Sequence, residues 1–154
     1  MNCSPLREAY RDLLAALRAV RIERLTDEQS ADLDWTLAHL ALSDAELTAA
    51  AEATRRGEPA VVDNAGAMDP ERLGAWTGTR SLADRVAGLE AQAERLVTDL
   101  SRLDQSASGS PVTLRVHDRR GRFVEEQTIT WVELVVLRAE RHLPGHTRRI
   151  EAYA

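Results

Sequence analysis

From Leu82 to Leu103 the apolar residues Leu82, Val86, Leu89, Ala93, Leu96, Leu100 and Leu103 recur at steps of three or four. That is the period of an α-helix, and it gathers all seven side chains on one stripe that must be buried against a partner. The partners are visible elsewhere in the chain. Leu6, Tyr10, Leu13, Leu14, Leu17, Val20 and Ile22 follow Ser4-Pro5, a suitable cap and first helical position, and predict a helix from Pro5 to about Arg24. A second helix is expected to begin near Ser30 to Asp34, after the polar connection LTDEQSADLD, and to run through WTLAHLALSDAELTAAAEATRR to a stop at Gly57. Near the end, Thr130 and Glu133 form the T-x-x-E pattern of a capping box. Beyond them Val132, Val135, Ala139, His142, His146, Ile150 and Tyr153 make a further stripe, which predicts that these residues face inward.

Two stretches break this periodicity. Residues 57–80, GEPAVVDNAGAMDPERLGAWTGTR, carry no sustained pattern and read as a long crossover, with Asp69-Pro70 opening one short helical turn. VTLRVHD and RFVEEQTIT alternate around Arg119-Arg120-Gly121 and predict a small β-hairpin. Hydrophobic residues make up 44% of the chain but aromatics only 4%, so a core of Leu, Val and Ala suits packed helices. The expected fold is therefore all-α: one domain spanning residues 1–154, with four helices, a long second crossover and a hairpin before the last helix.

Composition also removes several functions. A net charge of -5 argues against a general nucleic-acid binder. No apolar run approaches ~18 residues, so no membrane span is expected. The opening MNCSPLREAYRDLL turns charged at once, unlike a secretory leader, and Cys3 is the single cysteine. An internal disulfide is thereby excluded, and a reducing cytoplasm is the natural setting. All twenty basic residues are arginine, which rules out lysine Schiff-base chemistry and GxxxxGK[ST] phosphate loops. GxSxG, HExxH and Gly-rich dinucleotide motifs are likewise absent from the sequence.

What remains is a set of histidines. In RHLPGHTRR, His142 and His146 stand four apart on the predicted inward stripe, with Pro144 and Gly145 between them. Proline removes a backbone hydrogen bond and clashes with the carbonyl of Glu140, so a kink or bulge is expected between the two histidines, with both still facing inward. Buried neutral imidazoles need hydrogen-bond partners or a metal. His39, in DWTLAHLALSD with Trp35 one turn before it, is the natural third ligand from a facing helix. Three imidazoles leave one open position on tetrahedral zinc and three on octahedral nickel, iron, cobalt or manganese. The competing expectation is that these are ordinary hydrogen-bonded core histidines. His117, beside Asp118 and the turn arginines, reads as a surface residue.

WTLAHLALSD in the second helix and RAERHLPGHTRRI in the last, taken with the element order, give the chain a resemblance to the DinB-like superfamily. That superfamily includes bacterial thiol S-transferases and mycothiol-dependent maleylpyruvate isomerases. The resemblance covers essentially the whole chain. It implies an up-down-down-up four-helix bundle that holds a divalent metal through His39, His142 and His146. It also implies a low-molecular-weight thiol of the mycothiol kind, bound as thiolate and delivered to a small-molecule electrophile. Two features depart from the pattern: Trp35 lies closer to His39 than is common there, and a Pro-Gly pair interrupts the HxxxH helix.

Supporting roles are open to a few more residues. Arg138 and Arg141 are candidates to bind the thiol cofactor, as are Arg148 and Arg149, although cations in the last turns of a helix also suit its dipole. Glu140 and Asp44 are placed to orient an imidazole, and Trp76 and Asp63-Asn64 to line a pocket mouth. Three other functions use the same pocket: a metal-dependent hydrolase, a tailoring enzyme of specialised metabolism acting on a metabolite, and a non-catalytic metal- or ligand-binding bundle acting as a homodimer.

Overall fold

The computed structural model describes residues Met1–Tyr153. Helix α1 spans Ser4–Ala19 and is followed by a 3-10 turn, Ile22–Arg24. Helix α2 (Asp27–Arg55) starts earlier than the periodicity predicts, because Thr26 and Gln29 form a reciprocal capping box inside the supposed connection. Thr26→Ala is therefore expected to lower stability by ~1 kcal/mol. A denaturation midpoint equal to that of the wild type would show the cap to be idle.

The crossover then supplies strand β1 (Ala60–Asp63), a 3-10 turn (Asn64–Ala67) and helix α3 (Pro70–Thr77), longer than the single turn expected. Helix α4 (Leu82–Ser101) carries the clean apolar stripe, and a one-turn helix α5 (Gln105–Ser108) leads into strands β2 (Pro111–His117) and β3 (Phe123–Thr130). The chain ends in helix α6 (Trp131–Leu137), a π-helical turn (Arg138–His142) and helix α7 (Leu143–Glu151).

The all-α expectation is overturned. Beside the helices lies a three-stranded mixed sheet in the order β1-β2-β3, with β1 parallel to β2 and β3 antiparallel to it. The hairpin is where the alternation predicts it, but it recruits a third strand from the crossover. Asn64 locks the junction: its side-chain N–H donates to the carbonyl of His117 at 3.1 Å, and its oxygen accepts from the His117 amide at 2.6 Å. One face of the sheet, Ala60, Val62, Val112 and Leu114, joins the main core. The fold is thus mixed α/β rather than a pure four-helix bundle.

Helix α2 packs on α4, and α1 packs on α4 and α7. Leu6, Leu13, Leu37, Leu40, Leu89, Leu96 and Trp131 are fully buried at the centre. Trp131 finds a partner for its indole N–H in Thr54 Oγ1 at 2.9 Å, as a buried Trp requires. Among the described residues, no helix is long and apolar enough to cross a membrane.

Candidate metal centre

The last helix builds its half of the site by breaking its own period. Leu143 N–H reaches back to the carbonyl of Arg138, the wide bond of a π turn. The widened turn ends at His142, one residue short of α7, which carries Pro144 in its first turn. The irregularity therefore runs through His142 and ends there, instead of falling between the two histidines. One extra residue in the turn also rotates the faces. Trp131, Leu134 and Val135 are buried in α6, while Val132, placed inward by the uninterrupted period, is 47% exposed.

His142 and His146 face the same point despite this break, and His39 meets them from α2. Their ring centroids are 4.8 Å apart for His142–His146, 5.5 Å for His39–His146 and 5.6 Å for His39–His142. The three prospective ligand atoms lie within 4.8 Å of one another. Two nitrogens on one tetrahedral ion at ~2.0–2.1 Å are about 3.4 Å apart, so ligation needs the widest-spaced pair to draw in by up to about 1.4 Å. The Nε2 atoms of His39 and His142 are already 3.4 Å apart, which at those bond lengths subtends about 112° at an ion, close to tetrahedral.

Each ring is held differently. Nδ1 of His39 donates to the carbonyl of Ala67 at 3.0 Å, which leaves Nε2 as the free lone pair facing the cluster. Trp35 stacks on His39 with centroids 4.8 Å apart and planes 10° from parallel. Arg119, from the hairpin tip, lies 4.1 Å over the other side of the Trp35 ring and pairs with Asp32, which also accepts from the Tyr153 hydroxyl at 2.5 Å. Nδ1 of His146 is buried and has no hydrogen-bond partner, an orphan that a neutral imidazole in a sealed core would not be left with at no cost. This orphan, with three lone-pair-bearing rings converging on one point, is what a cation site provides. The residues present fit a metal.

Burial holds the rings neutral. Desolvation, with Arg138 and Arg119 adding to it, brings His39 down to about 4. His146 falls to about 3, again mainly by burial, and His142 is pushed well below the ordinary histidine range. Folded-state values below the unfolded ~6.5 mean that the unfolded chain takes up protons first. Stability is therefore complete above about pH 6.5 and is lost as the pH falls from there toward 4. Denaturation midpoints of the metal-free protein measured at successive pH values should drop through that window. A flat profile would mean that the rings are not held neutral by the fold.

The site opens into a cavity of about 680 Å³ between the sheet and helices α2 and α6. His39 and His142 form part of its lining, with Leu47, Val62, Leu114, Ile129, Leu134 and Leu137 as apolar walls. Ser43, Asn64 and Gln127 add polar groups, and Arg115 and Arg141 share the same lining with the carboxylates of Glu46, Glu125 and Glu133.

The remaining candidates sort as follows. Arg141 is exposed and lines the cavity. Arg138 also reaches the lining but is 7% exposed, and Asp44, Tyr10 and His142 already engage it, so it is not free for a cofactor carboxylate. Asp44 is fully buried and touches the site only through Arg138, while Glu140 points to solvent. Arg148 and Arg149 are exposed, and Arg149 borders a shallow groove beside Trp35 and Tyr153. Trp76 packs against the core under Arg80. His117 is half-buried rather than on the surface, 3.3 Å from Asp63, and takes no part in the cluster. Sequence reasoning missed the cavity wall formed by β2 and β3 and the Tyr10 hydroxyl. Only the long-range pairing of β1 with β2 positions that wall, and no local pattern records it.

Comparison with protein-family models, with curated proteins and with solved structures finds no match to this chain.

Proposed function

We propose that the protein is a metal-dependent enzyme of the DinB-like kind, in which His39, His142 and His146 hold a divalent ion that activates a low-molecular-weight thiol. The observation that carries this reading is the convergence of three neutral imidazoles, two of which, His39 and His142, line a cavity with apolar walls and a polar fringe. Neutral ligands leave the ion's full charge in place, while the positive charge of Arg138 beside His142 is already paired with Asp44. An anion is the fitting occupant of the open coordination position. A bound divalent ion supplies Lewis acidity, which lowers the pKa of a thiol or water. The chain's own part is to hold three imidazoles in place, to exclude water with the walls of α2, α6 and the sheet, and to present Arg141 to an anionic group on the incoming molecule. A small electrophile fits the cavity volume. Zinc suits the near-tetrahedral spacing, while nickel, iron, cobalt and manganese accept the same donors. The single cysteine, which can form no internal disulfide, supports a reducing cytoplasm as its setting.

The test is metal analysis of the purified protein, followed by incubation of the loaded form with a panel of thiols, mycothiol included, and a model electrophile. Thiol-dependent turnover that disappears on chelation is expected. Bound metal without turnover would instead favour a non-catalytic metal-binding protein. Turnover without any thiol would favour a hydrolase.

A further inference from the structure

The partners of His142 differ from those of an ordinary metal-binding histidine. Arg138 Nη1 lies 3.3 Å from His142 Nδ1. A guanidinium has only donors, so Nδ1 is the acceptor and the proton of the neutral ring sits on Nε2. His39 is the reverse case: its Nδ1 faces a carbonyl, which only accepts, so its Nε2 carries the lone pair. The 3.4 Å contact between the two Nε2 atoms is then a hydrogen bond from His142 to His39. Arg138, His142, His39 and the Ala67 carbonyl thus form a polar chain whose donors all point one way, complete without an ion.

A metal on both Nε2 atoms finds His39 ready and His142 blocked by that proton. Binding the neutral ring requires the proton to move to Nδ1, where it would meet the Arg138 N–H head-on. Outer partners of metal-binding histidines are ordinarily acceptors: carboxylates, carbonyls or water. Arg138 is the opposite, and it cannot drift freely. Its Nε donates to the Tyr10 hydroxyl at 3.1 Å and its Nη2 to Asp44, which the same hydroxyl contacts at 2.6 Å.

We propose that Arg138 is a positioning residue that gates metal occupancy: it fixes His142 in the tautomer that presents a proton to the ion site, and loading requires its Nη1 to leave His142 Nδ1. This rests on the metal reading above but makes a separate prediction. No bond is made or broken beyond the shift of one ring proton between the nitrogens of His142.

The test uses the full chain and zinc alone. In the metal-free wild type, the nitrogen-15 shifts of His142 should show a protonated Nε2 and an unprotonated Nδ1, reversing on zinc addition. The double variant Arg138→Gln/Asp44→Asn replaces the donor by a side-chain carbonyl that can accept from Nδ1–H, and it strands no buried carboxylate. Its zinc affinity, measured by competition with a chelating dye, should exceed that of the wild type by on the order of 10- to 100-fold, the usual weight of an outer partner. Equal or weaker binding by the variant, with zinc still held by the wild type, overturns the gate and spares the metal site. If neither protein holds zinc, the metal reading fails and the gate fails with it. A metal-free wild type with the proton on Nδ1 overturns the gate even if the variant does not fold.

Discussion

Replacing His39 by alanine is expected to reduce divalent-metal affinity by more than the ~100-fold that loss of an outer partner costs. His39 is the one candidate ligand contributed from outside the last helix, and its Nε2 is the lone pair already directed at the cluster. Without it, two imidazoles from adjacent turns of one helix must hold the ion alone. The substitution also removes the ring on which Trp35 stacks, so a fall in stability should accompany the loss of metal. A second variant separates the two effects. His146→Gln keeps a polar side chain of similar length on α7 and is expected to lower metal affinity with a smaller change in the denaturation midpoint. Competition titrations with a chelator on both variants provide the measurement. Wild-type affinity in either one removes that residue from the ligand set.

The largest change in folding stability is expected from Asp44→Ala. Asp44 is completely buried and Arg138 nearly so, and the pair is joined by the Tyr10 hydroxyl. Removing one member of a buried ion pair leaves its partner's charge uncompensated, at a cost of ~3–5 kcal/mol. Burial pushes the Asp44 carboxyl upward while the Arg138 guanidinium opposes the shift, so the charged pair depends on both residues being present. Replacing the two together by Leu and Met should recover much of the loss, because apolar groups of similar volume need no partner. Urea denaturation of the single and double variants decides it. A single variant within ~1 kcal/mol of the wild type would show that water reaches Arg138 and that the core there is not closed.

How far the sequence discloses this molecule can be seen residue by residue. The stripe from Leu82 to Leu103 locates α4 because every step is local, and the Thr130–Glu133 pair marks the start of α6 for the same reason. Thr26 and Gln29 carry an equally local signal, hidden in a segment whose polarity suggested a connection. Strand β1 is different. Ala60–Asp63 is four residues long, and its partners lie about fifty residues further on, so nothing near it announces a sheet. The three histidines were legible as a set from spacing and face. Their hydrogen-bond partners were not, because the Ala67 carbonyl comes from the crossover and Arg138 swings onto His142 through a π turn that proline chemistry predicts only as an irregularity.

The parallel pairing of β1 with β2 has a consequence for how the site comes into being. Everything from Asn64 to Ser110, α4 included, is enclosed between two strands that must meet before the cavity has its far wall. Closing so long a loop costs entropy that local helix formation does not, so the sheet is the late event in folding. Helices α1, α2 and α4 can each begin to form on contacts within themselves, whereas the carbonyl that orients His39 sits at the end of the 3-10 turn following β1. In a refolding experiment read by hydrogen exchange, amides of α2 and α4 gain protection first. Those of β1 and β2 follow, and only then is the His39 ring held by the Ala67 carbonyl.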